Sequence, residues 1–168
     1  MEFMEVVRRR RSIRKYRPDP VPEELITSVL EAARLAPSWA NTQCWKFVVV
    51  TDHETRRALA QAGNKWIADV PVIIVACADP SLPGIKGDQH YYMLDIGIAM
   101  EHLVLAAADQ GLGTCWIGAF DENAVRRALG VPPNIRVVAE TPLGYPDEDP
   151  PPKPRKSLEE IACMERYR

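Results

Sequence analysis

The stretch HYYMLDIGIAMEHLVLAAADQGLGTCWIGAF, His90 to Phe120, decides the architecture. From His90 to Gln110 it reads as one long helix, and its small residues Gly97, Ala99, Ala106, Ala107 and Ala108 let neighbouring elements approach closely. Apolar side chains nearly encircle it, the pattern of a central helix covered by the rest of the fold or by a partner. The chain then turns through Gly111 into a β-rich run, Gly113 to Ile117. Helix, glycines, strand is the reverse of the order in a dinucleotide-binding βαβ unit, where the glycines follow a strand and open a helix. The spacing fails too, since G-x-G-x-x-G begun at Gly111 needs glycine at Trp116. No G-x-x-x-x-G-K-[ST] loop occurs elsewhere. Any nucleotide has to be held by side-chain cations.

Upstream, Glu2 to Arg9 reads as a short helix with Phe3, Val6 and Val7 on one face. Pro22, Glu23 and Glu24 open a second helix, because a fixed φ and an acidic first turn suit a helix N-terminus. Leu25, Ile26, Val29, Leu30 and Ala33 carry its apolar face to about Ala36. Pro37 to Cys44 is a loop, Lys46 to Val50 a strand, and His53 to Ala62 a helix stopped by Gly63-Asn64. Val70 to Ala78 lacks alternation and predicts a strand buried on both faces. Asp79 to Gln89, with two prolines and two glycines, is a loop. Downstream come a helix at Asp121 to Leu129 and a strand at Ile135 to Thr141. Six of the thirteen residues from Pro142 to Pro154 are proline, which enforces an extended tail before a last short helix at Ser157. Helices and strands alternate irregularly, so the fold class is α/β or α+β with a small sheet.

At 168 residues and 18.9 kDa the chain makes one domain, with no room for separate nucleotide and substrate domains. Its 46% hydrophobic and 26% charged residues exclude a disordered polymer. The longest apolar run, Val70 to Ala78, falls well short of the ~18 residues of a membrane span, so no membrane partner is expected. The start MEFME runs into four arginines without an apolar stretch, unlike a secretory signal, and a cytoplasmic location is expected. Cys44, Cys77, Cys115 and Cys163 are dispersed and His53, His90 and His102 lack ligand spacing, so no metal site is expected. The cysteines read as small core residues and His102 as a residue packed inside its helix.

Charge is uneven. Residues 8 to 17, RRRRSIRKYR, carry seven basic groups, leaving −9 for the rest of a chain whose net charge is −2. Arg10, Arg11, Ser12 and Arg14 place guanidinium forks and a hydroxyl within five residues, the donor set that a phosphomonoester takes. A solvated charged loop fits the same residues. Nucleic acid is disfavoured, because the pI is about 5.9 and no second basic stripe with interleaved aromatics follows.

Four segments together resemble the FMN-dependent nitroreductase family: RRSIRKYRPDPVP (Arg10 to Pro22), APSWANTQCWKFVVV (Ala36 to Val50, against A-P-S-x-x-N-x-Q-P-W-x-F), DIGIAMEHLVLAAADQGLGTCWIGAF (Asp95 to Phe120) and PPKPRKSLEEI (Pro151 to Ile161). The resemblance implies an α+β fold: three layers, α/β/α, with a small mixed sheet around a central buried helix. It further implies a single domain, 1–168, whose extended arm, 142–168, is exchanged in a homodimer. Arg10, Ser12 and Arg11 would hold the FMN phosphate, with Lys153 and Arg155 closing that pocket. Arg14, with Asn64 or Lys65, would face the ribityl chain or the pyrimidine edge. Pro37, Ser38, Trp39 and Asn41 would line the isoalloxazine from the second subunit. Trp116, Ile117 and Gly118 would cover its other side, with an N–H near Gly118 at flavin N5. From the residues alone, Trp39, Trp45 and Trp116 read equally well as core aromatics, and Trp45 better so.

The implied activity is hydride transfer from NAD(P)H through FMN to a nitroaromatic, quinone or flavin, by ping-pong kinetics. No side-chain acid, base or nucleophile is required, because the flavin carries the chemistry. Flavin processing, dehalogenation or ring oxidation, and a non-catalytic flavin- or nucleic-acid-binding module, remain alternatives. Two departures stand out. Cys44 replaces the family's proline, and the short loop Asp79 to Gln89 implies a shallow, open pocket.

Overall fold

The computed structural model describes residues 2–167, and Met1 and Arg168, the ends of the expected domain and arm, lie outside them. The sheet is organised by β2 (Val72–Ala78), whose seven residues are all buried. It pairs antiparallel with β1 (Trp45–Val50), from Trp45 opposite Ala78 to Val50 opposite Ile73. On its other side it pairs antiparallel with β6 (Arg136–Gly144), the register shifting between Ala76 and Cys77. β5 (Gly113–Thr114) completes the order β1-β2-β6-β5. The Val/Ile run of β2 lacks alternation because helices cover both faces of the sheet. Val29 and Ala33 of α2 (Glu23–Arg34) and Leu103 and Val104 of α4 (Tyr91–Asp109) pack on Val72, Ile74 and Leu143. Leu59 of α3 (His53–Gln61) and Val125 of α5 (Glu122–Leu129) pack on Ile73, Val75 and Val137. The result is three layers, α/β/α. Among the described residues every ladder is antiparallel, and the sheet is mixed only through one parallel bridge, Ser12 to Thr114.

Local chemistry accounts for the helix boundaries. Asp52 and Asp121 cap α3 and α5, accepting from Thr55 N at 2.8 Å and Ala124 N at 3.1 Å. Gly130 ends α5 at φ 65°, a left-handed value that glycine adopts without penalty. The N-terminal helix α1 spans Phe3–Arg9, and a capping box of Ser157 and Glu160 starts α6 (Leu158–Ile161).

Several expectations are sharpened or corrected. The rest of the fold covers α4 along one face, where Ile96, Met100 and Leu103 are inaccessible, and leaves Met93 and Leu94 on the other 52% and 57% exposed. It also has the length and mean hydropathy of a membrane span, 19 residues and 1.2, but its apolar inner face is spent on α2 and the sheet. The loop at Asp79 to Gln89 contains a small hairpin, β3 (Ile85–Lys86) and β4 (Gln89–His90), turning at Gly87. β2 begins at Val72, because Val70 terminates a 3₁₀ turn over Lys65–Asp69. β5 stops at Thr114, and the chain rejoins the sheet only at Ile117, which exchanges two 2.9 Å bonds with the Glu140 backbone. β6 continues past Thr141 to Gly144. Pro142 gives no N–H to a ladder, and beside it the Cys115 N–H turns to the Thr141 hydroxyl at 3.1 Å. Cys163 and His102 are exposed, the His102 ring lying 3.2 Å from the Ala32 carbonyl on α2. Residues 151–167 are exposed throughout.

Glu140 is fully buried on β6 opposite Val75, and neither carboxylate oxygen has a partner among the described residues. Burial raises its pKa to about 7. The folded chain therefore keeps this proton at pH values where the unfolded chain has released it, and stability falls as pH rises from the usual carboxylate range through about 7. The lost contribution is about 3 kcal/mol. Glu140→Gln should match the parent near pH 5 and unfold at higher denaturant concentration at pH 8. Parallel stability–pH curves for the two proteins would contradict this.

Candidate functional site

The arginine-rich segment is stitched to the fold on two sides. Ile13 N donates to the Thr114 carbonyl at 2.8 Å, joining the segment to β5. Arg17 N donates to Tyr145 O at 2.9 Å and Asp147 N to Lys15 O at 2.9 Å, joining it to the chain that leaves β6. Glu148 then clamps the turn, its Oε1 accepting from Arg14 N at 2.5 Å and Lys15 N at 3.2 Å. This fixes the backbone under the cations while their side chains stay outside.

Those side chains meet the proline-rich tail around a cleft of about 610 Å³, a size usual for ligand pockets. Arg10, Arg11, Ser12, Arg14, Lys153 and Arg155 all line it. The side-chain cations of Arg10, Arg14 and Lys153 have no hydrogen-bond or carboxylate partner among the described residues. Arg11 instead folds back on the carbonyls of Arg8 and Arg10, and Arg155 on those of Lys153 and Pro154. Glu148, the carboxylate in the cleft, is occupied by backbone donors. An excess of unpaired cations remains, suited to an anion of two charges.

A second, smaller cavity of about 150 Å³ adjoins it through Arg14, and is lined by Asn64, Trp66, Cys115, Trp116, Ile117 and Gly118. The break in β5 produces this cavity, because the chain leaves the ladder after Thr114 and swings Trp116 outward, 39% exposed. Trp116 Nε1 donates to Glu101 Oε2 on α4 at 3.1 Å, which fixes the indole. Ile117 turns its side chain into the core, and both its backbone polar groups are taken by Glu140. The next N–H, of Gly118, has no partner among the described residues, and a Cβ built there would meet nothing within 4 Å. Asn64 donates to the Ala119 carbonyl at 3.1 Å beside it, whereas Lys65 does not line the cavity.

Pro37, Ser38, Trp39 and Asn41 lie elsewhere, in the loop between α2 and β1, and line neither cavity. This loop is strained. Ala40, Asn41 and Gln43 have φ of 45°, 57° and 48°, a conformation costing roughly 1–2 kcal/mol for each ordinary L-residue. Trp39 is 41% exposed, packs near Tyr91 at 6.2 Å between ring centroids and leaves no room for a Cβ at Gly84.

Sequence reading missed Cys115, Trp66 and Glu148. Cys115 was legible as the neighbour of Trp116. Burial pushes its thiol up, while Arg14, the Ser12 hydroxyl and Arg10 pull the other way. Trp66 and Glu148 carry no local pattern. No group of three or more His, Cys, Asp or Glu side chains is gathered as a metal requires among the described residues.

The profile of the Nitroreductase family matches residues 7–63 and 58–145. The chain belongs to the nitroreductase family. Its relatives include an NADH dehydrogenase of Thermus thermophilus, 35% identical over 91% of each chain. Among solved structures, a nitroreductase family protein of Clostridium novyi NT is 40% identical with a TM-score of 0.84, 87% of each chain being covered. An NADPH:FMN oxidoreductase of Vibrio harveyi, solved with NAD+, is 31% identical with a TM-score of 0.89, covering 99% of this chain and 78% of that one. The three-layer arrangement around α4 is thus the nitroreductase fold.

Gly118→Val puts side-chain atoms into space that no part of this chain uses. It should leave thermal stability within about 0.5 kcal/mol of the parent, and it should lower flavin uptake at least tenfold. A loss of stability with unchanged uptake would show that the cavity has no ligand role.

Proposed function

We propose that this nitroreductase is a cytoplasmic, FMN-dependent oxidoreductase that takes hydride from NAD(P)H and delivers it to a nitroaromatic, quinone or flavin acceptor. The observation that carries the reading is the cationic cleft, where three unpartnered basic side chains stand next to a cavity with a free backbone donor. Arg10, Arg11, Ser12, Lys153 and Arg155 would hold the phosphate, and Arg14 and Asn64 the polar edge of the ring system. Trp116, Ile117 and the Gly118 N–H would hold the ring itself. When bound, FMN supplies the hydride-accepting and hydride-donating centre.

The residues of this chain do the rest. The guanidinium groups neutralise the phosphate and fix its orientation. Arg14 sets a positive charge between the two cavities, where it favours an electron-rich ligand. The Gly118 amide offers a donor whose direction is fixed, because the preceding residue is paired at both its N–H and C=O with β6. No side chain in either cavity has to give up or accept a proton, and the cysteine there is held in its thiol form by burial. Both substrates would use the same open site in turn, so ping-pong kinetics are expected.

A homodimer completes the proposal. Met93 and Leu94 leave the outer face of α4 open, and Leu158, Ile161, Met164 and Tyr167 of the arm are between 65% and 100% exposed. Lys153 and Arg155 reach the cleft of their own chain, so the exchanged part of the arm, within the single domain 1–168, would begin after Arg155. The loop Pro37 to Asn41, which lines neither cavity of its own chain, would then serve the flavin of the other.

FMN-loaded protein should be yellow and should bleach when NADH or NADPH is added without oxygen. Failure to take up FMN would overturn the reading. Arg10→Ala and Arg155→Ala each remove a charge-assisted contact of roughly 1.5–3 kcal/mol and should weaken FMN binding by about 10- to 150-fold. Titration showing parental affinity in both would reject the phosphate assignment. Gel filtration at micromolar concentration should give twice the chain mass, and a one-chain mass would reject the dimer.

A further inference from the structure

Asp95 lies on the inner face of α4 and is 2% exposed. Its two oxygens reach opposite ends of one loop. Oδ1 accepts the Trp39 N–H at 2.9 Å, and Oδ2 accepts the Cys44 thiol at 3.7 Å, a distance suited to sulfur. Between those two points run the three residues of left-handed backbone, Ala40, Asn41 and Gln43. Inside the loop, Gln43 N donates to Ser38 Oγ at 2.9 Å and Thr42 N to Trp39 O at 3.0 Å. Beyond it, Asp79 N donates to the Cys44 carbonyl at 2.9 Å, tying the loop's end to the end of β2. A backbone in this conformation persists only when its surroundings over-determine it. Among the described residues, the only buried charged side chain bonded to the loop is Asp95.

We propose that Asp95 is the positioning residue of the Pro37–Cys44 loop, using its two oxygens to hold Ser38, Trp39 and Asn41 in a strained presentation toward a flavin, and that the Cys44 thiol supplies by a hydrogen bond the rigidity that a proline at this place would supply by its ring. The second half of that presentation, its direction toward flavin, rests on the proposed function. The Trp39 backbone N–H can only donate, so Oδ1 accepts from it. Burial and the Asp95 charge push the Cys44 thiol up to about 11, so it keeps its proton and stays a donor at neutral pH. α4 is a packed anchor, since Ile96, Met100 and Leu103 of its inner face are buried among α2 and the sheet. Asp95 and Glu101, six residues along the same helix, therefore hold different walls: the first fixes the loop of Trp39 and the second the indole of Trp116.

Amide hydrogen exchange of the flavin-free protein tests the anchor without any assumption about ligand. Peptides covering residues 37–44 should exchange at least tenfold faster in Asp95→Ala and in Cys44→Ala, while α2 and β1 stay protected. Cys44→Ser, which keeps a donor, should restore the parental rate, and the Asp95→Ala, Cys44→Ala double variant should exchange no faster than Asp95→Ala alone. If Asp95→Ala does not fold, Cys44→Ala and Cys44→Ser carry the same comparison. Unchanged loop exchange in Cys44→Ala and Asp95→Ala overturns the anchor. FMN titration and steady-state kinetics on the same variants then test direction. A rise in FMN dissociation constant or acceptor KM that Cys44→Ser reverses supports presentation toward flavin. Faster loop exchange with parental FMN binding and kinetics overturns it. A parent protein that binds no FMN would instead sink the proposed function and leave the exchange result standing.

Discussion

The pairing of residues 12–17 with two other segments is the interaction on which the site depends. One edge joins β5 through Ser12, Ile13 and Thr114, and the other joins Tyr145 to Glu148. Residues 8–17 carry seven basic groups, and without these pairings the segment would spread to lower its own repulsion and lie solvated. Held on both sides, it keeps Arg10, Ser12 and Arg14 at one place and brings the proline-rich tail beside them. The tail then needs no fold of its own. Its prolines keep it extended, and Lys153 and Arg155 arrive at the cleft because the tail leaves β6 next to the arginines.

That arrangement stores an electrostatic imbalance. Glu148, the carboxylate on the cleft, spends its oxygen on backbone N–H groups instead of on guanidinium. A dianionic group entering the cleft removes the imbalance by charge-assisted bonds, each stronger than a neutral hydrogen bond. The same logic recurs on the far side of Arg14. There the broken strand β5 leaves the Gly118 amide unspent, and its neighbour Ile117 is fully spent on β6. Unpaired donors that line a cleft are open to a ligand, unlike the unpartnered carboxylate of Glu140, which is sealed in the core.

Much of this is legible in the amino-acid sequence. The buried strand, read from Val70 instead of Val72 to Ala78, both helices that flank it in sequence, and the cationic segment follow from periodicity and charge, which are local properties. Hidden are features that depend on partners distant in the chain. The stop of β5 at Thr114 cannot be read from GTCWI, since it is set by which residues β6 offers opposite. The half-exposure of α4 is not legible in sequence, because an apolar face left open has the same composition as one already covered. Asp95 gives no signal in an apolar helix beyond its being charged. Its role appears only when the strained loop, more than fifty residues earlier, is brought against it. Glu140 likewise reads as an ordinary strand residue, and its isolation from any partner is visible only with the sheet and helices assembled.

In the proposed function the cationic cleft holds the phosphomonoester at the end of a flavin. Comparing FMN with riboflavin, which shares the ring and ribityl chain but lacks the phosphate, isolates that claim in one titration of flavin-free protein. With two or more charge-assisted contacts to the phosphate, FMN should bind at least about 100-fold tighter than riboflavin. Equal affinities would mean that the arginines serve some other purpose and would contradict the account.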